Sequence, residues 1–177
     1  MKTAVIGVGN IIFQDEGVGV YAATYLEKNY TFSGDVTLVD GGVLGFNLIN
    51  YYQEYEKILI LDTITMEDEI GSVYNLPSEE LLGLGSYKQT VHEIEVIEML
   101  EICSLQEMRA EVNIIGIIAK DIVSVNIGLS DEIRAKFNEF IEAALKELAS
   151  SGVKWSKNKT EFSLEKVIQS YRNPQNV

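Results

Sequence analysis

The chain has 177 residues, 46% of them hydrophobic and 23% charged, the size and composition of one ordinary globular domain. With 27 acidic against 14 basic side chains its formal net charge is -13, so nucleic acid and anionic membrane surfaces would be repelled. The single cysteine, Cys103, cannot close an intramolecular disulfide; with no signal-peptide pattern and no run of about 18 apolar residues, the expected location is the cytoplasm.

Strand-like and helix-like segments alternate, which predicts an α/β chain. Thr3 to Gly7 is apolar and ends in glycine, so it reads as a buried first strand. Gly17 to Lys28 follows as a helix, with Val18, Tyr21, Ala22 and Tyr25 at helical spacing. Val36 to Val39 is a second strand, closed by Asp40-Gly41-Gly42, and a helix from about Gly45 to Tyr52 returns the chain. Lys57 to Leu61 is a third, uninterrupted apolar strand ending at Asp62. Unbroken runs of this kind suit strands covered on both faces by helices.

The middle of the chain is less regular. Ser72 to Leu76, just before Pro77, reads as an antiparallel edge strand, and Glu79 to Tyr87, with Gly83 and Gly85, as a loop. His92 to Cys103 is a predicted helix and Glu111 to Ala119 the last core strand. Ser130 is placed to cap a long helix, with Asp131 and Glu132 near its positive end. Ile133, Phe137, Phe140, Ile141, Ala144, Leu145 and Leu148 form the apolar stripe of that helix. The composition turns polar near Ser150. Residues 1–149 are therefore read as the domain and 150–177 as a C-terminal extension. The extension carries one short amphipathic helix with Leu164, Val167, Ile168 and Tyr171, and is expected to be dispensable for folding.

In an open parallel sheet ligands collect beyond the carboxyl ends of the strands. Four polar groups fall there: Glu16 after the first strand, Asp40 at the end of the second, Asp62 at the end of the third, and His92 after the central loop. Two carboxylates and an imidazole make an oxygen, oxygen, nitrogen donor set suited to nickel, zinc, copper or iron. Each residue also has an ordinary structural role open to it, as loop cap, helix-dipole partner or packed ring. A rival reading is a dinucleotide site, from Gly7-Val8-Gly9 after a first strand and Asp40 after a second. Against it, Ile12 stands where a third glycine belongs, and Asp15 and Glu16 precede the helix where a pyrophosphate would lie. Cys103 falls about three helical turns from His92, too far for a Cys-His pair. No serine sits in a G-x-S-x-G elbow.

The segment Gly7-Val-Gly-Asn-Ile-Ile-Phe-Gln-Asp-Glu-Gly-Val-Gly19 resembles the opening of the hydrogenase maturation endopeptidases, G-x-G-N, a short spacer, then D-D/E-G-x-G. The likeness continues at Asp40-Gly41-Gly42, Leu61-Asp62, His92, Ile115-Gly116-Ile117 and Gly128-Leu129-Ser130, and so covers about residues 1 to 148. The resemblance implies a three-layer α/β/α sandwich on a twisted, mainly parallel sheet. It implies that Glu16, Asp62 and His92 are metal-binding, with Asp40 at a further acidic position beside them; Asp40 is the candidate catalytic residue. It also implies an activity: removal of a short C-terminal peptide from the large-subunit precursor of nickel-iron hydrogenase after nickel has been inserted, the nickel being supplied by the substrate. The second reading is a non-enzymatic nickel- or nucleotide-binding accessory module using the same crevice. Ala119 departs from the family, which commonly has proline there, and the tail after Ser150 exceeds the family core.

Overall fold

In the computed structural model, which describes residues 1–43, 49–78, 98, 101 and 110–174, the apolar runs assemble into one five-stranded sheet. Its strands are β1 (Lys2–Val8), β3 (Asp35–Gly42), β4 (Lys57–Ile64), β5 (Val73–Pro77) and β6 (Glu111–Ile118), in the spatial order β3-β1-β4-β6-β5. The first four in that order are parallel, and β5 runs antiparallel along β6. The edge strand expected before Pro77 is thus present, and it carries the proline at its last residue, where a missing N–H disturbs the ladder least. A separate antiparallel ribbon pairs β2 (Tyr30–Phe32) with β7 (Trp155–Lys157).

Four helices are described: α1 (Val18–Asn29), α2 (Ile49–Glu54), α3 (Asp131–Ser150) and α4 (Leu164–Arg172). The period-two alternation of strand side chains splits the apolar residues between two cores. On one face Val5, Leu59, Leu61, Ile115 and Ile117 meet α1, α3 and α4; on the other Ala4, Ile6, Ile58, Ile60, Val112 and Ile114 meet Tyr52 of α2. This is the expected three-layer α/β/α arrangement. The stripe of α3 is buried as its spacing requires, and Ser130 caps the helix by accepting a hydrogen bond from the Ile133 amide. The predicted helix His92 to Cys103 and loop Glu79 to Tyr87 lie outside the described residues.

Lys57 is an ion buried at the start of β4, 1% exposed. Its ammonium lies 2.8 Å from Glu111 of β6 and 2.6 Å from Glu147 of α3. Burial alone would lower its pKa, but the hydrogen bonds to the two carboxylates outweigh this and leave it above the ordinary lysine value.

The chain after Ser150 does not stand apart from the core, contrary to what its polar composition suggests. Val153, Val167 and Ile168 are buried in the same cluster as α1 and α3. Asn29, at the end of α1, accepts from the Phe162 amide at 2.7 Å and donates to the Phe162 carbonyl at 2.8 Å. The helix expected from Leu164, Val167, Ile168 and Tyr171 is α4, capped by Ser163.

Candidate active site

Read across the parallel strands in chain order, the sheet runs second, first, third, fourth. The winding therefore reverses between β1 and β4, and a crevice opens beyond their carboxyl ends. Glu16 follows β1 and Asp62 lies near the end of β4, so these two predicted residues come from the two strands that flank the reversal. Both are buried, at 7% and 4% exposure. Asp62 accepts a hydrogen bond from the Thr63 amide at 2.7 Å. Glu16 sits in a 3-10 turn, Gln14–Gly17, that packs against β4.

The close approach of this turn depends on glycine. A Cβ at Gly9, whose φ is +128°, would lie 1.8 Å from the carbonyl oxygen of Glu16. A Cβ at Gly19, in the first turn of α1, would lie 2.0 Å from the Leu61 carbonyl oxygen and 2.5 Å from that of Val8. Backbone therefore rests on backbone, which brings the Glu16 turn down onto the end of the strand that carries Asp62. The same contact disposes of the dinucleotide reading: the space above Gly9 is filled by the Glu16 carbonyl, not left open for a pyrophosphate.

Asp15 is what locks the turn, a role that sequence reasoning missed. Its side chain is wholly buried and accepts four hydrogen bonds. The Lys120 and Asp121 amides reach one oxygen at 3.2 and 3.0 Å, and the Ser130 hydroxyl reaches it at 2.8 Å. The Ser130 amide reaches the other at 2.6 Å. Backbone pairing extends the link. Gln14 donates to the Asn126 carbonyl at 3.0 Å and Asn126 to the Ile12 carbonyl at 2.9 Å, around a bridge of Phe13 with Asn126. The loops after β1 and β6 are thereby fused, although β4 lies between their strands. The carboxylate of Asp15 leaves Glu16, its neighbour, with little freedom of backbone position.

Asp40 stands at the same edge, paired with Gly7 in the register of β3 on β1 and anchored by the Gly9 amide donating to the Gly42 carbonyl at 2.9 Å. It is exposed, unlike Glu16 and Asp62, and one of its oxygens accepts from the Tyr171 hydroxyl at 2.9 Å. His92 lies outside the described residues, as does Cys103. The structure thus brings Glu16, Asp62 and Asp40 to one edge of the sheet. Among the described residues no three His, Cys, Asp or Glu side chains form a closed metal cluster. Two carboxylates fit a divalent cation by charge and hardness, and a third donor would have to come from elsewhere. No helix among the described residues is long and apolar enough to cross a membrane.

Comparison with known proteins points in one direction. Residues 20–147 match the profile of the family described as HycI, hydrogenase maturation protease. The chain is similar to the hydrogenase expression/formation protein HupD of Rhizobium leguminosarum bv. viciae, 30% identical over 154 residues, which is 86% of this chain and 76% of that protein. It is also similar to the hydrogenase 2 maturation protease of Escherichia coli (strain K12), 28% identical over 155 residues, 86% of this chain and 94% of the other. Among solved structures, the hydrogenase maturating endopeptidase HybD from E. coli superposes with a TM-score of 0.82 at 26% identity, covering 89% of this chain and 98% of that one. The [NiFe] hydrogenase maturation protease HybD from Thermococcus kodakarensis gives 0.67 at 31% identity, over 83% and 99%.

Proposed function

The chain belongs to the hydrogenase maturation protease family, and from that premise we propose that it removes the C-terminal peptide of a nickel-loaded nickel-iron hydrogenase large-subunit precursor in the cytoplasm. It is a hydrolase of the endopeptidase type, as the family is. The observation that carries the finer reading is the pair of buried carboxylates, Glu16 in the turn after β1 and Asp62 on β4, beside the reversal of the sheet.

In this reading Glu16, Asp62 and His92 touch nickel that the precursor already holds, so the metal arrives as part of the substrate. Two carboxylates and one imidazole are an incomplete shell for such an ion, and ligands from the precursor fill the rest. The peptide bond is cut by water. Its oxygen adds to the scissile carbonyl carbon, Asp40 takes the released proton, and the proton passes to the amide nitrogen as the C–N bond breaks. Asp40 suits that task better than Glu16 or Asp62 because it is the exposed carboxylate of the three.

The test is a side-by-side digest of nickel-free and nickel-loaded precursor with the purified protein. Cleavage of the loaded form alone is expected. Equal cleavage of both would sink the idea that substrate nickel is read.

A further inference from the structure

We infer that Tyr171, in the C-terminal helix α4, is a positioning residue for hydrolysis: its phenol orients the carboxylate of Asp40 toward the scissile bond. The inference rests on the assignment of Asp40 as the proton acceptor. Tyr171 lies beyond residues 20–147, the span over which the family profile matches, so membership of the family assigns it nothing.

The geometry is a directed relay. The Tyr171 oxygen is 2.7 Å from the Thr24 hydroxyl of α1 and 2.9 Å from one carboxylate oxygen of Asp40. A phenol has one proton. Because Tyr171 donates it to Asp40, Thr24 donates to Tyr171, and the order Thr24 to Tyr171 to Asp40 is fixed. Burial pushes the Tyr171 phenol well above the usual tyrosine value and Asp40 pushes it the same way, so the donor keeps its proton throughout the pH range in which a protease works. The ring is held independently, edge-on to Tyr21 with centroids 5.5 Å apart. One carboxylate oxygen of an exposed residue is therefore pinned by a group that is itself rigid.

The next residue performs a parallel task. Arg172 donates to the Ile127 carbonyl at 2.7 Å, and its guanidinium lies against Gly128 in the loop that Asp15 holds. Two consecutive residues of α4 thus fasten the end of β3 and the loop that follows β6. Among the described residues, Tyr171 supplies the side-chain hydrogen bond that the Asp40 carboxylate accepts.

The experiment compares Tyr171→Phe with wild type, alone and in an Asp40→Asn background. The phenylalanine keeps the ring contact with Tyr21 and removes only the donor. A hydrogen bond to a charged group is of a size that changes rate by about tenfold or more. The expected result is a fall of about tenfold in kcat on nickel-loaded precursor, with KM little changed and an unchanged thermal midpoint. That loss should vanish when Asp40 is already asparagine. Three-bond couplings across the Asp40 Cα–Cβ bond give a readout without catalysis: one side-chain rotamer in wild type, averaging in Tyr171→Phe. Unaveraged couplings in the variant, or the same fold-loss in both backgrounds, would overturn the positioning role. If wild type leaves the loaded precursor whole, the protease reading fails, while the couplings still decide whether Tyr171 orients Asp40.

Discussion

Asp15 cannot be exchanged for its amide without leaving donors facing donors. An asparagine there keeps one acceptor oxygen and turns an NH2 toward amides and a hydroxyl that had been donating. Asp15→Asn is expected to cost about 3 kcal/mol of stability, the range for breaking buried hydrogen bonds to a charged group. Urea unfolding checks it, and a loss under about 0.5 kcal/mol would show that the loop is held by other means. The Asp15-Glu16 pair shows how far single residues are legible. Glu16 stands out in the sequence because it follows a strand and opens a helix. Asp15 looks like a second charge at the same helix start, because its partners are 105 to 115 residues away and are mostly backbone amides, which leave no mark in composition. Asp40 was legible as a strand end but its partner Tyr171, 131 residues on, was not.

The helix α4 has only a few apolar residues, and for that reason the polar tail reads as an appendage. What decides its role is where Val167 and Ile168 point, and both are 0% exposed against the core beneath α1 and α3. Ile168→Ala is expected to cost about 3 kcal/mol, as large-to-small changes in a packed core do. Deleting residues 150–177 should broaden or abolish the cooperative thermal transition. A deletion that melts like wild type would show that the tail is dispensable for folding. The tie among β4, β6 and α3 has its own signature in pH. Because the Lys57 pKa is raised above 10.5, its contribution is complete below the unfolded value and is lost as pH climbs through the higher folded one. The stability gap between wild type and Lys57→Met should therefore stay constant through neutral pH and narrow above about 10.5. Urea titrations across that range measure it, and a gap that narrows already near neutrality would contradict the raised value. At the level of elements the alternating pattern located the strands, the edge strand and α3. It missed the 3-10 turn and the β2–β7 ribbon, whose three-residue strands are too short to show a period.

On the scale of the whole molecule, binding to the precursor is bivalent in the proposed reading. Protein surface and metal are touched together, so a weak metal contact acts at high effective concentration. The isolated protein should then hold nickel only weakly, while His92→Ala should abolish processing of loaded precursor and leave the fold intact. Full activity in that variant would remove His92 from the site. The alternation of elements made the layered architecture legible, but the strand order and the crossing of loops over β4 depend on packing that no local segment encodes. That crossing has a consequence for the order in which the chain takes shape. Ile12 to Glu16 belong to the first tenth of the polypeptide, yet they are held by residues 120 to 130. Closing so long a loop has to wait until the later segment is in place, and the entropy of closure is repaid only then. During synthesis β1, β3 and α1 can meet while the Glu16 turn stays open. The Glu16 turn is thus among the last parts of the molecule to form, and in the proposed reading an unfinished chain is a protease without an edge.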